Sequence, residues 1–409
     1  MPITRALPTW IVAILVIVVL QTISATLSRL LPVISPAFMA EFGWDESWIG
    51  YLSAASVIGS LFMLTSGIGL AHRVGGVYAL QVTLLLGAAS LALFTIPSIA
   101  LALLASIVIG LSNGAANPAG SEVLQRFTPP AHRNVVFSIK QAGVPLGGVI
   151  AGLAIPLLVE AAGWRMALVI AGAVLAAATA LTWPFRSRID APRDPRVAAR
   201  LVSFRWTDIA VPLRSLSKAP GLWSISWVGC LLALPQACWV TFAATYLVVA
   251  LGLSLSVAGL VFAVMQATSV VGRVLMGWIA DNVASSTTTL ALASIASALS
   301  TIAFALVSPD WPVWALLALA AVGGVAVSGW NGIQIAEVAR RSPPGLVGET
   351  AAGSVILVYA SNMLGPVGFA AFVALTGRFD YAFMLSGAFS LLCLPLLYGI
   401  DRETEKSGV

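Results

Sequence analysis

Apolar stretches long enough to cross a membrane recur along the whole of this 409-residue chain. A helix rises 1.5 Å per residue, so about 20 residues cover a hydrocarbon layer of roughly 30 Å. Windows of that length predict twelve helices, near residues 9–38, 47–71, 76–97, 100–127, 134–160, 164–185, 220–250, 255–281, 286–307, 311–339, 349–376 and 380–399. Charge content agrees: 9% of residues are Asp, Glu, Lys or Arg, against roughly a quarter in an ordinary soluble domain. With 59% apolar residues, the solvent for most of the chain is lipid, which excludes a soluble enzyme, a nucleic-acid binder and a secreted scaffold.

The loops choose an orientation. An even number of spans puts both termini on one side, and cytoplasmic loops concentrate Lys and Arg. With the termini inside, sixteen of the 21 basic residues fall in inner segments, whereas only Arg165 and Arg378 fall outside. Both ends are therefore expected in the cytoplasm, and the net charge of +5 follows from this bias rather than from a polyanionic partner. The first apolar run continues unbroken to Leu27 without an Ala-x-Ala site, so it reads as a span and not as a signal peptide. Cys230, Cys238 and Cys393 lie in apolar segments without paired spacing, which predicts free thiols and no metal site. Asn-x-Ser/Thr acceptors are lacking, in keeping with a bacterial inner membrane.

The longest polar stretch, Arg186 to Lys218, divides six spans from six. Expected boundaries are 1–186 for an N-terminal bundle, 187–219 for a cytoplasmic linker and 220–409 for a C-terminal bundle. The halves echo one another. Glu122, followed by Arg126 and Pro129-Pro130, is answered at an offset of 215 by Glu337, followed by Arg341 and Pro343-Pro344. Ala167 and Gly172 recur as Ala382 and Gly387, and Gly143-Val-Pro145-Leu-Gly147 returns as Gly365-Pro366-Val-Gly368. A duplicated six-helix unit explains such echoes, and parallel repeats of this kind mark transporters.

On these features, and on the loop motif Gly277-Trp278-Ile279-Ala280-Asp281-Asn282, the chain resembles the major facilitator superfamily over essentially its whole length. The first copy of that motif, Leu70-Ala71-His72-Arg73-Val74-Gly75-Gly76, departs from the family pattern, since His72 stands where the family has Asp. The family's arginine in the fourth span is missing, with Ala105 and Ser106 near its place. The resemblance implies an all-α membrane protein of twelve transmembrane helices in two pseudo-symmetric six-helix bundles. Spans 1, 4, 7 and 10 would line a cavity, with spans 5 and 8 meeting across the halves.

Charge within hydrocarbon is costly and as a rule functional. After removal of the loop residues three charges remain: Arg29 in span 1, Lys140 in span 5 and Arg273 in span 8, each about 10 to 18 Å from an interface. Every Asp and Glu falls in a loop or at a helix end. These cations thus have no counter-ion in the sequence, and a carboxylate on the substrate would supply one. An arginine and a lysine facing one cavity are also similar to the arrangement in the family's oxalate and monocarboxylate carriers. Lys140 and Arg273 are accordingly expected to attract the anion, Arg273 through a planar fork that matches a carboxylate, while Arg29 tunes the outer half. A bland reading stands beside each: Arg29 and Lys140 snorkel to an interface, and Arg273 only packs. Neutral polar residues complete the expected site: Gln21, Asn117, Gln236, Gln266, Asn331, Tyr359 and Asn362, with Trp330 as an apolar wall. Asn113, Gln334 and Trp239 are further candidates.

A cytoplasmic gate is expected where Asp281 meets Arg133 and the positive start of span 5, mirrored by His72 and Arg73 against Glu349. Enzymatic readings fail, because His72 and His132 are the only histidines and neither a zinc helix nor a nucleotide-binding Gly-x-x-x-x-Gly-Lys-Ser/Thr loop occurs. No cofactor is expected, and transport is secondary or passive. The expected function is movement of a small organic anion, a mono- or dicarboxylate, by alternating access, with uptake by proton symport, exchange or uniport all open. Its rival is export of lipophilic drugs or metabolites, which the aromatic content favours. The chain is expected to work as a monomer.

Overall fold

The structure, a computed structural model, describes residues 8–66, 74–129, 133–190 and 207–407. Among the described residues every regular element is helical, as hydrocarbon demands, because a helix satisfies its backbone amides within one segment. The helices are α1 (Thr9–Phe42), α2 (Trp48–Ser66), α3 (Gly76–Ser90), α4 (Ile99–Phe127), α5 (Arg133–Thr182), α6 (Arg186–Ile189), α7 (Thr207–Ser215), α8 (Leu222–Thr245), α9 (Leu255–Asn282), α10 (Ser286–Ala305), α11 (Val313–Ser328), α12 (Asn331–Arg341), α13 (Val347–Thr376), α14 (Phe379–Ser390) and α15 (Cys393–Ser407).

Eleven helical segments among the described residues are long and apolar enough to cross a membrane. The twelfth is inside α5, where Gly163 has φ 78° and ψ 158°. That conformation suits glycine alone, and it turns the chain between the fifth and sixth expected spans. The tenth expected span runs from Val313 to Arg341, with a bend where α11 passes into α12 at Gly329 and Trp330, both of which keep right-handed helical angles.

The chain forms two compact units, residues 1–38 with 55–204 and residues 39–54 with 205–409. The second unit takes in the start of α2, which the sequence places in the first bundle. Gly50 lets α2 lie against α13 there: a Cβ on it would fall 2.7 Å from Ala370 Cβ and 3.0 Å from Phe242 Cζ.

In the first unit, α2 and α4 cross on small residues. Ser60 Oγ donates to the carbonyls of Ser56 and Gly110, both at 3.0 Å, and a Cβ on Gly114 would come within 2.8 Å of Ser60 Cα. Lipid gives helices no hydrophobic drive towards one another, so close backbone approach and hydrogen bonds hold such crossings. At one end of this unit Asp190 caps α3, accepting from the amides of Val77 (2.9 Å) and Tyr78 (3.1 Å). Gly75, at φ 101°, leaves space for that carboxylate, which a Cβ would overlap. Arg126 donates to the Ile189 carbonyl beside it. Burial pushes the Asp190 carboxyl above its ordinary value, against the opposite pull of the two amides, Arg126 and Arg186.

The second unit has an aromatic core. Trp239 stacks on Phe304 at 4.2 Å and Phe242 on Phe369 at 4.3 Å, tying α8 to α10 and α13 through contacts that add to area burial. Buried polar tips find partners: Trp239 Nε1 donates to Thr301 Oγ1 at 3.0 Å, and Tyr246 Oη donates to the Ala305 carbonyl at 3.0 Å.

Candidate functional site

In the second unit the candidate residues gather around α9 and the bend between α11 and α12. Arg273 lies nine residues before the end of α9 at Asn282, which places it about 14 Å along the helix from that end. Its Nε is buried with no hydrogen-bond partner among the described residues, although the side chain as a whole keeps partial exposure. Gln266 stands two turns before it on the same face and is 5% exposed. Next to Arg273, Gly272 brings α9 against the end of α11: a Cβ there would lie 2.7 Å from Val325 Cα, and one on Gly329 would lie 3.0 Å from the Gly272 carbonyl. The Gly272 contact therefore sets Arg273 level with the end of α11.

Just past that end, Asn331 Nδ2 donates to the Ser328 carbonyl at 3.1 Å and to Gln236 Oε1 at 3.4 Å. Two sequence candidates from different helices are thus brought together. On either side of the bend the helical bonds are intact, from Gly329 N to the Val325 carbonyl at 3.0 Å and from Gln334 N to the Trp330 carbonyl at 3.1 Å. Sequence reading gave no bend here, for which Gly329 was the available signal. Tyr359 and Asn362, three residues apart on one face of α13, are half-buried.

Other candidates prove structural in this unit. Trp330 is 1% exposed and packs in the core with Leu222, Val228 and Ile333, its Nε1 donating to the Val327 carbonyl at 2.9 Å, so its ring faces neighbouring helices and not an open cavity. Gln334 Nε2 clamps α12 to α8 and α13 through the Ile225 carbonyl (3.2 Å) and Ser354 Oγ (2.8 Å). Glu337, 1% exposed, is a buried acid, but Arg340 Nη2 and Arg341 Nε each hold its Oε1 at 2.6 Å.

In the first unit Lys140 is 1% exposed and its Nζ donates to Ser121 Oγ at 2.8 Å. The ammonium therefore ends inside the unit and does not snorkel outwards. Gly120 admits it, since a Cβ there would sit 3.1 Å from Lys140 Cε. Ser121 was noted in the sequence only as part of a repeat. One turn along from Lys140, Gly143 faces Gln21, whose Cγ would lie 3.3 Å from an added Cβ; Gln21 Oε1 is buried and unbonded. Arg29 is half-buried and engaged by neighbours, about 12 Å further along α1 than Gln21. The Asn117 side chain lies outside the described residues.

Of the expected gate, His72 and Arg73 lie outside the described residues, as does the Arg133 side chain. Asp281 at the end of α9 and Glu349 in the first turn of α13 are exposed.

The sequence signature of the Major Facilitator Superfamily matches residues 13–366. The chain is 27% identical over 398 residues to the probable sulfoacetate transporter SauU of Cupriavidus necator, covering 92% of this chain and 91% of that protein. It is 26% identical to the 4-hydroxybenzoate transporter PcaK of Pseudomonas putida, with 61% of each protein covered. An uncharacterised transporter of Mycobacterium tuberculosis is 27% identical over 70% of this chain, and the match spans 62% of that relative's length. Among solved structures, a bacterial homolog of the human lysosomal transporter Spinster, inward-facing and unoccupied, aligns over 98% of both chains with a TM-score of 0.77 at 16% identity. That likeness is one of fold.

Proposed function

The chain belongs to the Major Facilitator Superfamily, and we propose that within it the protein carries a small organic anion bearing a carboxylate across the membrane. The observation that carries this reading is Arg273: a guanidinium deep in a span, its Nε sealed and unbonded. A buried acid of the same unit, Glu337, is already taken by two arginines. A buried donor without a partner costs free energy, and an anionic substrate removes that cost while gaining a two-point, charge-assisted contact. Gln236, Gln266, Asn331, Tyr359 and Asn362 orient the rest of the molecule through neutral hydrogen bonds. Lys140, sealed by Ser121 in this state, and Gln21 engage the anion in the alternate state of the cycle, and Arg29 tunes the outer half. Relatives named for sulfoacetate and 4-hydroxybenzoate support the assignment, because both compounds carry a carboxylate.

Transport follows alternating access, with uptake into the cytoplasm as its direction and a gradient of the anion, of an exchanged anion or of protons as its drive. The bias of basic residues supports an orientation with both termini in the cytoplasm, and the bacterial relatives support a bacterial inner membrane as the protein's location. The test is uptake into proteoliposomes of labelled mono- and dicarboxylates, a carboxylate-bearing sulfonate, a neutral lipophilic drug and an organic cation. Saturable uptake confined to the anions, lost in Arg273→Met, supports the reading; uptake of the drug or the cation by parent and variant alike refutes it.

A further inference from the structure

A cavity of about 400 Å³ opens on the second unit between α8, α13 and α14. Its walls are almost wholly apolar, with Trp227, Leu234, Leu364, Phe372, Leu385 and Phe389 among them. Few polar atoms line it: Ser386 Oγ already donates to the Phe383 carbonyl at 2.8 Å, and the thiols of Cys230 and Cys238 are weak hydrogen-bonding groups. A polar solute has nothing to bind here. The cavity is also turned away from the candidate anion site. On α13 the lining residues 357, 361, 364, 365, 368 and 372 fall on one face by the 3.6-residue period, with Tyr359 on the opposite side and Asn362 at the border, two turns before the lining Phe369. On α8 the lining residues 227, 230, 231, 234 and 238 likewise leave Gln236 opposite.

Trp227 is 44% exposed, Leu364 60% and Leu385 46%, so the groove is open along its length to whatever surrounds these spans. Its lining covers twelve residues of α8, from Trp227 to Cys238, and sixteen of α13, from Leu357 to Phe372, or about 16 to 22 Å along the helix axes, somewhat more than the roughly 15 Å depth of one leaflet of hydrocarbon. One end carries positive charge. Trp223, one turn before Trp227 on the same face, donates from Nε1 to Ser217 Oγ at 2.9 Å, and the next residue, Lys218, is exposed, as is Arg214 on α7. This is the side that the loop charges assign to the cytoplasm.

We infer that the groove holds one acyl chain of an anionic phospholipid of the inner leaflet, with its phosphate at Lys218 and Arg214 and the two tryptophans at headgroup level. Indole rings favour that depth, and basic residues at the surface attract anionic lipid. Occupancy is a property of the lateral surface of the second unit and does not depend on the substrate proposed for the protein.

The test uses the full chain in nanodiscs containing a phosphatidylglycerol probe with a photoreactive acyl chain, or the phosphatidylcholine equivalent, with cross-links mapped by mass spectrometry. The expected result is concentrated labelling of residues 227–238 and 361–372, with preference for phosphatidylglycerol of roughly fivefold for each basic residue engaged. Gly368→Phe fills the groove without displacing backbone, because nothing lies within 4 Å of a Cβ at that position. Labelling in the groove should then fall at least fivefold, while that of the exposed Leu292 and Leu299 on α10 stays constant. Arg214→Gln with Lys218→Gln should abolish the headgroup preference and leave acyl-chain labelling in place. Uniform labelling of all exposed helices, equal labelling by the two probes in the parent, or an unchanged pattern in Gly368→Phe would overturn the inference. So would displacement of the probe by a transported carboxylate, which would make the groove part of the substrate path.

Discussion

Arg273→Met separates the cost of a buried cation from its use. The side chain's Nε is shut away without a partner, and an unmade bond on a buried donor costs about 1–3 kcal/mol, more when the group is charged. Methionine keeps much of the length, fills irregular space and needs no partner. The substrate-free variant should therefore be more stable than the parent by about 1–3 kcal/mol, seen as a raised melting temperature in detergent. Ligand behaviour should move the other way. A hydrogen bond to a charged group is worth about 1.5–3 kcal/mol, and every 1.4 kcal/mol is tenfold, so the affinity for a transported carboxylate should fall roughly 10- to 140-fold. At a ligand concentration a hundred times the parent's Kd, the parent gains about 2.7 kcal/mol of stability, whereas the variant at the same concentration gains little. Melting curves with and without the carboxylate, run beside uptake in proteoliposomes, read both effects in one preparation. A variant that is less stable without ligand, and that still transports with an unchanged KM, would refute the reasoning: Arg273 would then be a packing residue with partners of its own.

Three further outcomes are expected. Ser121→Ala removes an acceptor from the buried Lys140 ammonium and should lower stability by about 1.5–3 kcal/mol; Ser121→Ala with Lys140→Met should recover most of that loss, and a double variant as unstable as the single one would count against the pairing. Gly272→Val places a branched Cβ within 3 Å of the Val325 backbone, an overpacking that costs about 1–3 kcal/mol, and by prising α9 from α11 it should weaken carboxylate binding as well; unchanged binding would detach this helix contact from the site. Asp190 has a carboxyl raised by burial above the ordinary 3.8, so its folded form holds a proton more tightly than its unfolded form. Its contribution to stability is fully present below that ordinary value and is lost as pH rises through the raised one. The melting temperature of the parent minus that of Asp190→Asn should accordingly decline as pH climbs from the ordinary carboxylate range, and a difference that grows instead would mean that the capping bonds and the arginines outweigh burial.

The amino-acid order alone determined the membrane class, the number of spans and the family. Hydropathy sums along a helix of its own accord, and a bilayer asks nothing more of a span than length and apolar surface. It likewise singled out Arg273, because a charge in an apolar run is visible without knowing its surroundings. Which cation is sealed and which stays unsatisfied was a tertiary matter. Helices that are apolar all round carry no stripe to show which face is buried, so nothing local places Lys140 on Ser121, turns the Trp330 ring into the core or joins Gln236 to Asn331. The Asp190 cap on α3 reaches across 112 and 113 residues of chain, and the meeting of Gly272 with the end of α11 depends on two helices approaching closely enough for a single methyl group to part them. Rotation and close approach are decided by packing between helices, and packing is settled only when the whole bundle is assembled.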